Sequence, residues 1–326
     1  MTFYKCSILA NPEGDGWIYA KGIYDILSQK EPDKFELNPV ELKQFRDGEF
    51  KPKLTKNVRK RNCFFIHDSN LKPEKWLADL LLINGTLSTS HAHHIVDVFP
   101  YLKFSRQDRK DESRVPISSR IVADAVGLYA NSVLTIDLHN DAIQGFYKEM
   151  DNLYSFPVVI DHLKKNHSEI LENLLIASTD AGGAPRARNF AKRLGMKEII
   201  VGNKYRAEAG KVEKYQLIGD VEDIRGRNVL YIDDILDSGI TLNKAEKAAR
   251  EKGARKVYAY TTHALFTKGI ELVNAFDGFF VGDTIIQKNI CPKLEVISFI
   301  PLFAEAIRRV NEGESLSSLL ETDNPK

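Results

Sequence analysis

One stretch, residues 227–242, limits most strongly the folds that this chain can adopt. Residues 228–232 form an almost unbroken apolar and β-branched run, which is the pattern of a strand covered on both faces in a parallel sheet. This strand is predicted to stop at Asp233 and Asp234, and a helical pattern begins near Leu242. The stretch therefore predicts an α/β fold, in which ligands bind at the carboxyl ends of parallel strands.

The turn between this strand and helix has the composition of a phosphate-binding site. Backbone N–H groups and hydroxyls at a helix N-terminus can hold a phosphate, and paired carboxylates can bind ribose hydroxyls or a hydrated Mg²⁺. An acidic cap on an ordinary helix would explain one aspartate, but not three beside a hydroxyl-glycine turn. The candidate residues are Asp233, Asp234, Asp237, Ser238, Gly239, Ile240 and Thr241.

Composition excludes several classes of function. The 46 basic and 45 acidic residues give a formal charge of +1, so no basic field of the kind that binds nucleic acid is expected. No window approaches the roughly 20 apolar residues of a membrane span. The three cysteines are scattered without metal-ligand spacing, which favours a reduced, cytoplasmic location.

Two pairs of segments suggest an internal duplication. The segment 61–68 parallels 227–234, and 94–99 parallels 256–261 at nearly the same separation. The apolar pattern breaks near residues 154–157, where we place a domain boundary. These patterns predict two similar α/β domains, of which only the second kept the acidic loop.

Other polar stretches are ambiguous when taken alone. The segment 45–49 suits any solvated hairpin, 106–110 suits a solvated loop of neutralising charges, and 203–211 has the composition of a mobile loop. Side chains at Asp137 and His139 would share one face of an extended segment after a strand. Asp180 lies in a glycine-rich connection that would allow a ligand to approach the backbone.

Taken together, these motifs resemble a known family. The residues 233–241 resemble the phosphoribosyl-pyrophosphate loop of the type I phosphoribosyltransferase fold. Some stretches of the chain are absent from ordinary phosphoribosyltransferases. They narrow the resemblance to ribose-phosphate pyrophosphokinases, also called phosphoribosyl-pyrophosphate synthetases. These stretches are 45–49, 106–110, 137–139 with 143–146, 178–183, and 304–309 with 313–315.

The resemblance implies an architecture of two domains, each a mostly parallel sheet flanked by helices. Residues 1–155 would form an N-terminal domain with the nucleotide-binding segments, joined by the C-terminal helix 301–320. Residues 156–300 would form a C-terminal domain with the ribose 5-phosphate loop and the mobile catalytic loop.

The resemblance also assigns roles by position. Lys204 and Arg206 would be catalytic, His139, Asp180 and Asp137 would bind the metal, and the 233–241 set would bind ribose 5-phosphate. The ATP-binding residues would be Phe45, Asp47, Gly48, Glu49, Arg106, Gln107 and Asp108.

The implied reaction is transfer of a diphosphoryl group from ATP to ribose 5-phosphate, with Mg²⁺ as cofactor, in a dimer-based homo-oligomer such as a hexamer. Two alternatives are a base-transferring phosphoribosyltransferase and a catalytically silent regulatory partner of a synthetase. The first gives no reason for a second α/β unit, and the second should have lost Lys204, Arg206 or the acidic pair, all of which are present.

Overall fold

The computed structural model describes residues 5–205, 214–219 and 224–320. They divide into two compact units, one formed by residues up to Tyr154 with those from Phe299 onward, and one by Ser155–Ser298. Each unit holds one seven-stranded sheet flanked by helices. The predicted fold class is therefore confirmed.

The first unit is built on a sheet with the order β3-β2-β1-β4-β5-β6-β7. Strand pairs are parallel except β2 with β3, which are antiparallel. Its strands are β1 (Cys6–Ala10), β2 (Phe35–Gln44), β3 (Phe50–Leu54), β4 (Asn62–Ile66), β5 (His94–Phe99), β6 (Ser132–Ile136) and β7 (Met150–Leu153). Its helices are α1 (Gly16–Lys30), α2 (Pro73–Thr89), α3 (Ser118–Gly127), α7 (Ile300–Glu312) and α8 (Ser317–Leu320), and a 3₁₀ helix spans Asp141–Phe146.

The second unit has a sheet of the order β10-β9-β8-β11-β12-β13-β14. Here β9 and β10 are antiparallel and the other described pairs are parallel. Its strands are β8 (Leu174–Ser178), β9 (Ile199–Tyr205), β10 (Lys214–Gly219), β11 (Asn228–Leu236), β12 (Lys256–Ala264), β13 (Gly278–Gly282) and β14 (Leu294–Ile297). Its helices are α4 (Phe156–Asn166), α5 (Ala184–Arg193) and α6 (Ile240–Glu251), with 3₁₀ helices at Ser168–Ile170 and Glu271–Ala275.

The two sheets have the same topology. Each strand of the first sheet has a counterpart at the same place in the second, including the single antiparallel pair at one edge. Strands β4 and β11, whose sequences are alike, occupy equivalent central places, and β5 and β12 lie beside them. This correspondence is what an internal duplication requires.

Helix α7 belongs to the first unit, although it is separated from the rest of that unit by the whole second unit in sequence. It packs against α1, where Tyr19 and Phe303 make an edge-to-face contact with ring centroids 5.5 Å apart. Both side chains are fully buried, and burial of large aromatic rings contributes strongly to stability. The C-terminal segment therefore completes the core of the first unit.

Several predicted boundaries were wrong. The apolar pattern of β11 breaks at Asp233, yet the strand continues to Leu236 in register with β12. Asn203, Lys204 and Tyr205 were assigned to a loop, but their backbones lie in β9 and pair with β10. The predicted C-terminal helix 301–320 is two helices, α7 and α8, because the left-handed Gly313, with φ 71°, ends α7.

Among the described residues, no helix is both long and apolar enough to cross a bilayer.

Candidate functional site

The acidic pair lies in the carboxyl-terminal half of β11, beside the end of β8. Thr179, directly after β8, donates a hydrogen bond from Oγ1 to Asp233 Oδ2 at 3.0 Å. The other oxygen, Asp233 Oδ1, accepts from the backbone N–H of Asp234 at 3.0 Å. Asp234 is buried, and its Oδ2 lies 3.7 Å from Nη2 of Arg186 on α5. The carboxylates are thus held by neighbouring strand ends and by a helix.

The proximity of the two carboxylates is electrostatically unfavourable for both charges. Burial in the protein, and then the negative charge of Asp234, raise the pKa of Asp233 to about 8. The hydrogen bond from Thr179 acts in the opposite direction but is weaker. A cation or a hydroxyl donor placed between these carboxylates would relieve their repulsion, so the pair is suited to bind either.

The glycine-rich connection after β8 folds back on Asp180. Ser178 Oγ donates to the backbone oxygen of Asp180 at 2.8 Å, and the N–H of Gly183 donates to Asp180 Oδ1 at 3.1 Å. A Cβ at Gly183 would lie 2.5 Å from Ser178 Oγ, so this position requires glycine. The Asp180 carboxylate is thus fixed in direction, and its charge and that of Asp233 both act on Tyr215.

The predicted phosphate turn leads directly into α6. Gly239 precedes the helix in the left-handed conformation, with φ 73° and ψ 3°, and a Cβ there would lie 2.7 Å from Leu272 Cδ2. Ile240, which stands at the first helical position, is not among the described residues with positive φ. Its backbone is therefore compatible with a β-branched side chain. The first N–H groups of α6 lack carbonyl partners within the helix, which suits an anion.

Asp237 is oriented by a neighbouring loop. Its Oδ1 accepts from Thr267 Oγ1 at 2.6 Å, and its backbone oxygen accepts from the N–H of Thr267 at 3.0 Å. Ser238 and Thr241 are half-buried at the same turn. All seven predicted residues between 233 and 241 therefore lie on one continuous strand-turn-helix segment.

The first unit uses the equivalent strand end differently. His67 follows β4, is buried, and lies with Nε2 3.0 Å from Asp97 Oδ1. Asp97 also accepts from Asn84 Nδ2 at 2.7 Å. Asp68 accepts from the backbone N–H groups of Asp15 and Asn70. The first unit therefore has one histidine and one carboxylate, both in internal hydrogen bonds, at the positions where the second unit has the pair Asp233 and Asp234.

The segment 45–49 is the tip of the β2-β3 hairpin. The N–H of Phe45 donates to Glu49 O at 2.6 Å, and Gly48 has φ 96°, which favours glycine. Phe45 is 50% exposed, and Lys51 Nζ lies 5.6 Å from its ring centroid. Asp47 Oδ1 accepts from the N–H of Glu49 at 3.1 Å. The hairpin thus presents an aromatic face and two carboxylates to solvent.

The segment 106–110 contacts the predicted metal-binding segment. Asp108 Oδ2 accepts from Asn140 Nδ2 at 2.6 Å, and Asn140 directly follows His139. Gln107 Nε2 donates to Arg109 O at 3.0 Å and to Asp111 Oδ1 at 2.9 Å. Predicted nucleotide-binding and metal-binding residues of this unit are therefore neighbours.

The geometric reason given for pairing Asp137 with His139 was wrong. Asp137 has φ 45° and is buried, whereas His139 is exposed, so the segment is not an extended strand with alternating side chains. A single left-handed residue cannot be inferred from a hydrophobic pattern. The assignment of both residues to a metal stays a prediction, independent of that reason.

The two predicted catalytic residues are described only in part. The backbone of Lys204 lies in β9 opposite Tyr215, and Arg206 lies outside the described residues. The predicted mobility of residues 203–211 stays a prediction for the same reason.

Sequence reasoning missed residues that support the site. Tyr215 OH donates to Thr179 O at 3.0 Å, and a Cβ on Gly202 would clash with that hydroxyl. Burial, followed by the charges of Asp180 and Asp233, raises the pKa of Tyr215, so its hydroxyl stays protonated. In the first unit, burial lowers the pKa of Lys103 to about 8, and its Nζ donates to Ser69 O. No periodicity marks such contacts.

Comparisons with known proteins agree with this arrangement. Residues 19–127 match the N-terminal domain of ribose phosphate pyrophosphokinase, and residues 208–321 match the phosphoribosyl synthetase-associated domain. The crystal structure of phosphoribosylpyrophosphate synthetase from Mycobacterium smegmatis is 25% identical, with a TM-score of 0.81, and the match covers 95% of this chain and 100% of that one.

Curated relatives extend over almost the same length. The ribose-phosphate pyrophosphokinase of Chlorobaculum tepidum is 38% identical over 291 residues, or 87% of this chain and 88% of the relative. That of Campylobacter jejuni is 39% identical over 290 residues, or 87% of this chain and 91% of the relative. On this sequence similarity and the shared fold, the chain belongs to the ribose-phosphate pyrophosphokinase family of enzymes.

Proposed function

We propose that the chain transfers the β,γ-diphosphoryl group of MgATP to the 1-hydroxyl of ribose 5-phosphate, giving 5-phosphoribosyl 1-diphosphate and AMP for nucleotide biosynthesis. The observation that carries this proposal is the arrangement at the end of β11, in a chain of this family. There an acidic pair bonded to Thr179 is followed within a few residues by the N-terminus of α6.

The turn 237–241 would bind the 5-phosphate of the sugar. The free N–H groups at the start of α6 and the hydroxyls of Ser238 and Thr241 are donors suited to a dianion. Asp237 accepts from Thr267, which keeps this carboxylate's Oδ1 engaged with a neighbouring hydroxyl. The left-handed Gly239 brings the chain into the helix without a side chain at the turn.

Asp233 and Asp234 would bind the ribose hydroxyls or the metal that these hydroxyls contact. Burial and then the charge of Asp234 raise the pKa of Asp233 to about 8, so near neutral pH this carboxyl favours its protonated form, and a bound cation would displace the proton. Thr179 fixes one carboxylate while Tyr215 fixes Thr179, so the pair is preorganised before substrate binds.

Mg²⁺ suits the candidate residues of each unit, because Asp137 in the first unit, and Asp180 with the acidic pair in the second, offer carboxylate oxygens, the ligands this ion prefers. His139 is exposed and would add an imidazole. When bound, the ion would offset phosphate charge and lower the pKa of the attacking hydroxyl. The protein groups mainly position the two substrates, as in other phosphoryl transfers.

ATP would be held by residues of the first unit. The exposed ring of Phe45 offers a flat apolar surface for adenine, and Arg106 can stack on a base or pair with phosphate. Gln107 and Asp108 are already oriented by hydrogen bonds to their own loop and to Asn140. Asp47, Gly48 and Glu49 complete the proposed set on the hairpin.

Lys204 and Arg206 would stabilise the charge that develops on the transferring group, which is the largest single contribution in reactions of this type. We also propose that the protein is cytoplasmic. We propose in addition that it forms a homo-oligomer built from dimers, since the side chains at the tip of the hairpin carrying Phe45 are exposed.

The function is tested by an assay for AMP. We expect AMP to form from ATP only when ribose 5-phosphate and Mg²⁺ are both present, and Asp234→Ala to abolish its formation. The matched control is Asp124→Ala, which removes an exposed carboxylate from an ion pair with Arg120 on α3. AMP formation without ribose 5-phosphate would disprove the proposed acceptor.

A further inference from the structure

A second cluster of ligand-type side chains lies in the second unit and has no part in the proposed reaction. His162 Nε2 lies 2.7 Å from Glu295 Oε1, and His167 Nε2 lies 2.7 Å from Glu295 Oε2. Candidate ligand atoms of the three residues all lie within 4.8 Å of one another. One carboxylate therefore bridges two imidazoles that both direct the same ring nitrogen toward it.

This cluster is separate from the site at the carboxyl ends of the strands. His162 lies near the end of α4, His167 directly follows that helix, and the chain then enters β8 at Leu174. Glu295 is near the start of the edge strand β14. The cluster is thus at the amino ends of the strands, opposite the acidic pair after Ile232.

The two imidazole rings pack against one phenylalanine side chain. Phe280 of β13 contacts both edge-on, with interplanar angles of 68° to His162 and 67° to His167. Phe280 is buried and is the register partner of Glu295. Both imidazoles therefore pack against a buried ring that neighbours Glu295 in the sheet.

Each ring also has a polar neighbour at its other nitrogen. Asn166 Nδ2 lies 3.2 Å from His162 Nδ1, and a half-turn of this amide would present its oxygen instead. Glu169 Oε1 lies 3.7 Å from His167 Nδ1. Histidines that bind metals usually donate their second N–H to such an acceptor, which fixes the tautomer with a bare Nε2.

We propose that His162, His167 and Glu295 bind one divalent transition-metal ion of the Zn²⁺ type. Two imidazoles and one carboxylate are a known zinc donor set, with a fourth position left for water. The two imidazoles favour Zn²⁺, Co²⁺ or Ni²⁺ over Mg²⁺ and Ca²⁺, which prefer oxygen ligands.

Binding requires only a small adjustment. Metal bonds of about 2.0–2.1 Å in a tetrahedral site separate ligand atoms by about 3.3 Å. The nitrogens and oxygens now at 2.7 Å must therefore move slightly apart, and ligand atoms separated by up to 4.8 Å must move closer together. The partly exposed side chains of Glu295 and His167 lie at a strand edge and a helix end, where such a shift is least restricted.

A bound ion would fasten the end of α4 to the edge strand β14. Glu295 and Glu169 carry two negative charges that a divalent ion would balance. The last carbonyls of α4 form the negative end of the helix dipole, which also favours a cation. The ion would stabilise the second unit and take no part in diphosphoryl transfer.

The test uses Co²⁺ as a spectroscopic probe on chelator-treated protein in millimolar Mg²⁺, which occupies oxygen-rich sites. We expect one Co²⁺ per chain with intense visible absorption, and a rise in melting temperature with equimolar Zn²⁺. Both effects should be lost in His167→Asn and Glu295→Gln. Asn166→Ala should weaken metal binding by about 10–100-fold, as expected when a residue that hydrogen-bonds to a metal-binding histidine is removed.

Two controls separate this site from others. His91→Asn removes an exposed histidine at φ 59°, a conformation that asparagine tolerates, and should bind Co²⁺ like the parent. His139→Asn, which alters the proposed Mg²⁺ site, should also keep the absorption. These variants show whether the signal comes from the cluster rather than from any histidine.

X-ray absorption of the zinc-loaded parent protein gives an answer even if a variant fails to fold, and should show nitrogen and oxygen neighbours at about 2.0–2.1 Å. The proposal is overturned if the parent binds no Co²⁺ or Zn²⁺ under these conditions. It is also overturned if Glu295→Gln binds as well as His91→Asn, which would make the cluster a hydrogen-bonded group only.

Discussion

Thr179 Oγ1 donates to Asp233 Oδ2 at 3.0 Å, and this bond links the ends of the adjacent strands β8 and β11. It fixes the carboxylate of Asp233, which lies close enough to that of Asp234 for the two charges to repel each other. The resulting repulsion is the electrostatic basis of the proposed substrate site, because a bound cation or sugar hydroxyl relieves it.

Burial, together with the nearby charge of Asp234, should make the ionised form of Asp233 a source of instability. Its pKa is raised in the folded protein from the ordinary value of 3.8 to about 8, so the folded state retains a proton that the unfolded state loses. The protonated carboxyl of Asp233 therefore stabilises the folded state relative to the ionised one. This stabilisation is full below about pH 3.8 and is lost as the pH rises through about 8. Asparagine has no carboxyl proton to lose, so the Asp233→Asn variant keeps its stability as the pH rises through this range.

We therefore expect metal-free Asp233→Asn to gain stability relative to the parent as the pH rises, by more than about 1.4 kcal/mol above pH 8, while activity is abolished. Chemical denaturation at several pH values measures the difference. A free energy difference that does not change with pH would contradict the assigned pKa.

Gly239→Ala should impair binding of ribose 5-phosphate. Gly239 and Gly195 both have φ 73°, but a Cβ would meet Leu272 only at Gly239, whereas Gly195 has no atom within 4 Å. An alanine at such a φ costs about 1–2 kcal/mol at either position. Only Gly239→Ala should raise the Michaelis constant for ribose 5-phosphate, by on the order of tenfold if one charge-assisted hydrogen bond is lost.

The control is Gly195→Ala, which is measured beside Gly239→Ala by chemical denaturation and by steady-state kinetics. Equal kinetic defects in Gly195→Ala and Gly239→Ala would show that the effect is general destabilisation, and would remove Gly239 from the phosphate turn.

Phe45→Ala should weaken ATP binding without destabilising the protein. Phe45 is 50% exposed at a hairpin tip, so its removal should change the free energy of unfolding by less than about 0.5 kcal/mol. Stacking of a base on an aromatic ring is worth about 1–3 kcal/mol, so the Michaelis constant for ATP should rise accordingly. Ile18→Ala, at a residue 52% exposed, should leave it unchanged. If both variants bound ATP normally, adenine could not rest on this hairpin.

Central elements of the fold were predictable from sequence because their burial leaves a continuous apolar signal. Strands β4 and β11 are examples, with runs such as Cys63–Ile66 and Val229–Ile232. The edge strands β3 and β10 and the neighbouring strand β2 mix apolar with polar residues, and β2 and β3 contain Pro39 and Pro52, so only their ladder bonds with neighbours define them.

The site was predictable as a set of residues, but much of its internal geometry was not. The spacing of residues 233–241 predicted a strand-turn-helix segment, and the structure contains it. The left-handed Asp137 and the bond from Tyr215 to Thr179 depend on tertiary contacts between distant segments. A pattern along the chain carries no information about such contacts.

Lys204→Ala and Arg206→Ala should lower kcat with little change in substrate binding. Losing one electrostatic donor in the transition state typically reduces kcat by on the order of 10²–10³. Lys204→Arg should recover little of the lost kcat, since a planar guanidinium does not replace a compact ammonium. Tyr205→Arg should stay active. Calorimetric dissociation constants beside single-turnover rates measure both effects. Large losses of affinity with an unchanged chemical step would make these residues substrate-binding groups.

The most direct test of the proposed reaction is the fate of the ATP phosphates, followed by ³¹P nuclear magnetic resonance with ribose 5-phosphate and Mg²⁺. We expect equimolar AMP and a sugar diphosphate in which the former β-phosphorus is bonded through oxygen to C1, with no ADP and no free phosphate at early times. ADP with a singly phosphorylated new position would contradict diphosphoryl transfer and show a simple kinase instead.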